Sequence, residues 1–145
     1  MDNTANPVAP KHLWIVGVLS LIWNAFGAFD YLMTNMRNEA YLANFPPEVI
    51  TMVDEFPAWI IAAWAVGVWL GLAGSILLLL RMRYAVHAFG LSILGLVATT
   101  GYMFGLDIPE SLKTPGTNAV NLMIWIVAVF LLLYSIRMHR TGVLR

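Results

Sequence analysis

Hydrophobic residues along this chain fall into four long runs, separated by short polar stretches. The runs are "LWIVGVLSLIWNAFGAFDYLM" from Leu13 to Met33, "PAWIIAAWAVGVWLGLAGSILLLL" from Pro57 to Leu80, "YAVHAFGLSILGLVATTGYMF" from Tyr84 to Phe104 and "AVNLMIWIVAVFLLLYSI" from Ala119 to Ile136. A helix rising 1.5 Å per residue needs about 20 mostly apolar residues to cross a bilayer. Each run meets that length, so the pattern predicts an all-α integral membrane protein. The expected architecture is a four-transmembrane-helix bundle, a single membrane domain over residues 1–145. Only "RMR" separates the second and third runs, which predicts a tight antiparallel hairpin there.

The first interhelical segment has a pattern of its own. In "PPEVITMVDEF", Val49, Met52, Val53 and Phe56 recur at spacings of three, four and seven, with Glu48, Thr51, Asp54 and Glu55 on the opposite side. That periodicity predicts a short amphipathic helix over about 47–56, lying along the outer membrane surface. Pro46 and Pro47 suit its start and Glu48 suits the positive end of its dipole. Such a loop folds back over the bundle; the alternative is a lid or a docking surface for a periplasmic partner.

Charge supplies the orientation. Lys11, Arg81, Arg83, Arg137, Arg140 and Arg145 fall on one side of the four runs, and only Arg37 and Lys113 on the other. The positive-inside rule then puts both termini in the cytoplasm and the loops 34–56 and 105–118 outside. The rival reading of the first run as a cleaved signal peptide fits less well, because Trp23 and Asn24 interrupt its apolar core. Charged residues make up 11% of the 145 residues, the net charge is zero and there is no cysteine. This composition argues against nucleic-acid binding and removes thiol chemistry and disulfides.

Within the runs, polar and small residues are few enough to consider singly. Ser20, Asn24, Gly27 and Tyr31 share one stripe of the first run, with Asn24 roughly 16 Å into the bilayer. Lipid offers Asn no partner, so this face is expected to hydrogen-bond another helix or, alternatively, to form part of a substrate site. Ala63, Gly67, Gly71 and Ser75 form a small-residue ridge on the second run. Ser92 and Gly95, with Ala88 and Thr99, form a shorter one on the third. Both suit close helix packing, or homodimerisation. Asp30, near the outer end of the first run, is expected to reach interfacial water, with Arg37 as its counter-charge. A proton-relay role is the sharper alternative. Trp14 and Trp59 mark the interfaces, whereas Trp23, Trp64, Trp69 and Trp125 lie deeper and are candidates to line a ligand cavity with Asn24. His12, His87 and His139 sit at unmatched depths without metal-ligand spacing, so no metal or other cofactor is expected. No nucleophile stands beside a base and no carboxylates pair inside the membrane, so the residues do not point to an enzyme.

At "WNAFGAFDYLMTNMRNEAYLANFPPE", "FPAWIIAAWAVGVWLGLAGS" and "LLLLRMRYAVHAFG" the chain resembles a family of small four-helix inner-membrane proteins of proteobacteria, some of which carry a generic sugar-transporter label. The resemblance implies a bacterial inner-membrane setting and transfers no site residues. Two function classes follow. One is an accessory subunit or assembly partner of a larger membrane complex, meeting other subunits or itself. The other is a small-solute carrier acting as an oligomer. A hydrated cavity reaching Asn24 would favour the carrier; a dry bundle with an exposed stripe would favour the partner.

Overall fold

The computed structural model describes residues 8–145, which form six α-helices with no strand. Four of them are long and apolar enough to cross a membrane: α1 (Lys11–Asn35), α4 (Ala58–Leu79), α5 (Tyr84–Phe104) and α6 (Pro115–Arg140). The protein is a multi-pass membrane protein built as a four-helix bundle. A helix satisfies its backbone polar groups internally, which hydrocarbon requires of any spanning segment. Two short helices, α2 (Glu39–Leu42) and α3 (Pro47–Asp54), lie between α1 and α4, and a 3-10 turn (Glu110–Leu112) precedes α6. The end of the bundle carrying these short elements is the loop end; the opposite one, with the Arg81-Met82-Arg83 turn, is the arginine end.

Local chemistry sets the boundaries. α1 outruns the predicted 13–33 at both ends and closes with Arg37 in the left-handed region at φ 55°. There the N–H of Asn38 reaches back to Met33 O at 3.0 Å. Leu80 and Arg81 close α4 in the same way, with Arg81 at φ 59° and Met82 N–H donating to Leu77 O at 2.8 Å. Glycine usually takes this position. α6 starts four residues before the predicted 119, because Thr114 accepts from Thr117 N–H at 3.1 Å and Pro115 occupies the first helical position. Its last turn holds Arg137, His139 and Arg140, which suit the negative end of the helix dipole.

α4 packs against both α1 and α5, and α6 packs against α5. At the arginine end all four long helices meet. Leu13, Leu78, Ala85, Phe89, Leu131 and Met138 form one buried cluster, to which Val143 and Leu144 add from beyond α6. Gly142, at φ 74°, turns this last segment back onto the α4–α5 turn. Arg145 N–H donates to Arg81 O at 2.9 Å and Arg83 N–H to Arg145 O at 2.7 Å. Away from this cluster the long helices present large apolar side chains outward, among them Phe26, Leu94, Leu122 and Leu133. Apolar surfaces of this kind suit a hydrocarbon surrounding.

Candidate functional site

Polar side chains cluster at mid-bundle and at the loop end. At mid-bundle the Asn24 amide of α1 spans to α4. Its Nδ2 donates to Ser75 Oγ at 3.1 Å and to Ser20 O at 2.9 Å. The Ser75 hydroxyl, fully buried, donates to Gly71 O at 3.0 Å, and Ser20 Oγ to Gly17 O at 2.9 Å. Gly71 is the space into which Asn24 fits, since a Cβ there would overlap its Oδ1. On the other flank of α4, Ser92 Oγ donates to Gly67 O at 2.5 Å. A Cβ on Gly95 would lie 2.5 Å from Ala63 O and 2.6 Å from Gly67 N. α4 and α5 therefore approach backbone to backbone at Gly67 and Gly95. Among the described residues, every buried side-chain nitrogen and oxygen has a hydrogen-bond partner. This arrangement holds three helices together.

At the loop end the α2–α3 segment folds over α1. Asn38 caps α2 by accepting from Tyr41 N–H at 3.0 Å, which sets Tyr41 above the last turns of α1. Its hydroxyl donates to Asp30 Oδ1 at 2.6 Å, and its ring meets Phe29 edge-on. Burial, then the hydrogen bond and the nearby charge of Asp30, push the Tyr41 hydroxyl up to about 12. Arg37 does not pair with Asp30 as the sequence suggests. Its left-handed backbone carries it away from the α1 face and it forms an ion pair with Asp54 at the end of α3. A cavity of about 110 Å³ lies beneath the segment, lined by Asp30, Thr34, Arg37, Phe45, Val53 and Trp64 among others. That is room for a few water molecules. Neither this cavity nor the surface groove over Leu133, Ile136, Arg137, Arg140 and Thr141 is lined by Asn24.

The candidate tryptophans part company. Trp64 lines the loop-end cavity and meets Tyr31 edge-on, 5.0 Å between ring centroids. Trp69 flanks Tyr31 at 6.4 Å but is 40% exposed, and Trp23 is 38% exposed. Neither lines the loop-end cavity or the groove over Leu133 and Arg137. Trp125 is half-buried on α6. Sequence reasoning missed Tyr41, although Asn38 three residues earlier is a helix-capping signal. His12 is exposed, and its Nδ1 lies 2.5 Å from the Tyr134 hydroxyl, which ties α1 to α6.

Comparison with protein-family models, curated proteins and solved structures finds no match to this chain.

Proposed function

We propose that this chain is a small membrane interaction protein, an accessory subunit or assembly partner of a larger inner-membrane complex, without catalytic chemistry of its own. One contrast carries the reading. The mid-bundle polar groups are spent on one another, through Asn24, Ser75 and Ser92. The half of α6 nearer the loop end, by contrast, has no cover from the other described residues: residues 115–123 are all exposed. A bundle whose interior is closed and whose fourth helix is half bare suits association better than solute passage. In the orientation this reading takes, the arginine end, with six of the eight Lys and Arg, faces the cytoplasm and the loop end faces outward. The resemblance to small inner-membrane proteins is in keeping with that setting.

A second reading, an oligomeric carrier of a small solute, draws on the loop-end cavity beside Asp30, Arg37 and Trp64. Carriers place their binding sites near the midplane, commonly at broken helices, and this cavity lies at one end of unbroken ones. Gentle extraction from the native membrane followed by affinity purification separates the readings. An interaction protein brings down a larger partner in fixed proportion. Purification of the chain alone, with solute uptake into proteoliposomes that Trp64→Leu abolishes, would overturn the proposal.

A further inference from the structure

The bare half of α6 carries a polar stripe. Asn118, Asn121 and Trp125 follow one another at steps of three and four, which sets them on one side of the helix, and Ala128 continues the line. Asn118 and Asn121 are exposed and Trp125 half-buried, and no hydrogen bond within the described residues engages any of these three side chains. Asn121 lies roughly 9 Å and Trp125 roughly 15 Å along α6 from its first residue. α6 spans about 39 Å against a hydrocarbon core of about 30 Å, so both sit below the interface. Lipid tails offer them nothing, and an unpaired polar group in hydrocarbon costs several kcal/mol. Asn24, the other amide within a spanning helix's apolar stretch, is engaged by a neighbouring helix.

We infer that this stripe is a self-association surface, covered by α6 of a second copy of the chain. The inference rests on the interaction reading and names one of its partners. A primary amide donates through Nδ2 and accepts through Oδ1, so two Asn121 side chains related by a two-fold axis satisfy each other. Symmetric pairing of one patch with itself is the commonest form of association between identical chains. Trp125, one turn deeper, supplies apolar area beside the amide pair, and Ala128 lets the helices draw close. The approach is open, since residues 115–123 of α6 are exposed, and its contacts with α5, α4 and α1 gather at the arginine end around Leu131, Tyr134 and Met138.

The absence of cysteine allows a clean test. Asn118→Cys, at the rim of the stripe, is labelled with benzophenone maleimide and irradiated in native membranes at low expression. Leu94→Cys, exposed on α5, is the control. The expected product is an adduct of twice the chain's mass from position 118 and not from 94. Adding Asn121→Leu reduces it about five-fold or more, because two interhelical hydrogen bonds are lost, while Asn121→Gln retains it. Because position 121 is exposed, Asn121→Leu leaves thermal unfolding of the single chain in detergent unchanged, which separates lost association from lost folding. An adduct to a different protein would overturn the second copy as occupant and leave the interaction reading standing. A chain of single mass, with adducts to lipid only, would overturn both.

Discussion

Replacing Gly95 by Ala puts one methyl group where α4 and α5 are closest. The new Cβ would lie 2.5 Å from Ala63 O, 2.6 Å from Gly67 N and 3.0 Å from Gly67 Cα. All three are backbone atoms, so no rotamer change relieves the overlap and the helices must part by roughly 1 Å to restore ordinary contact. Parting them stretches the 2.5 Å Ser92–Gly67 hydrogen bond one turn away, worth about 0.6 kcal/mol in a membrane. Overpacking of this kind costs about 1–3 kcal/mol, against a helix-propensity gain of about 1 kcal/mol for Gly→Ala. Gly90 on the same helix supplies the reference: nothing lies within 4 Å of a Cβ there, so Gly90→Ala takes the propensity gain without the clash. The expected difference between the two variants is about 1.5–3.5 kcal/mol. Equilibrium unfolding in mixed micelles, titrated with a denaturing detergent, measures it. Equal stability of Gly95→Ala and Gly90→Ala would refute the backbone contact.

Three further outcomes are expected. Gly71→Ala costs about 1–3 kcal/mol alone and little in an Asn24→Ala background, since the overlap is with that amide; additive effects in the double-mutant cycle would show that the two do not touch. The neutral Tyr41 hydroxyl stabilises the loop-end fold fully below its ordinary value of 10.0, and that contribution fades as pH rises through about 12. Asp30→Asn lowers this midpoint without returning it to 10.0, because burial is the larger cause; phenolate absorbance referenced to Tyr41→Phe reads it, and an unmoved midpoint counts against the contact. Leu144→Ala, in a side chain only 2% exposed, lowers thermal stability by about 2 kcal/mol or more, and a neutral result would detach the 142–145 segment from the core.

The four spans were legible because crossing lipid demands long apolar runs, and the stripe from Ser20 to Tyr31 correctly marked Asn24 as facing another helix. Which helix was not legible. Residues four apart on an α-helix step round it by about 40°, so the ridge from Ala63 to Ser75 turns by about 120°. Its start, at Ala63 and Gly67, meets Gly95 of α5, while its finish at Ser75 meets Asn24 of α1. Spacing alone marked it for close packing and did not show that two helices share it. Arg37 was misassigned for a related reason: counting seven residues along a continuous helix put it beside Asp30, but α1 ends first and the left-handed turn redirects it. Gly67 and Gly95 look alike in sequence, yet a Cβ at Gly67 meets nothing closer than 3.7 Å. Close approach is a property of the pair of helices, and spacing along one of them does not contain it.

That the interior is closed, with the chain acting through its outer surface, can be tested most directly at Ser75. The side chain is fully buried at the centre of the Asn24 contact, and Ser75→Cys is nearly isosteric. A water-soluble maleimide is added to sealed vesicles, and then to permeabilised ones so that both faces are reached. Glu110→Cys, at a side chain 94% exposed on the loop end, serves as the reactive control. A closed interior predicts rapid labelling of Glu110→Cys and none of Ser75→Cys until a denaturing detergent unfolds the bundle. Labelling of Ser75→Cys in the folded protein from either face would reveal a hydrated path to the Asn24 contact and contradict it.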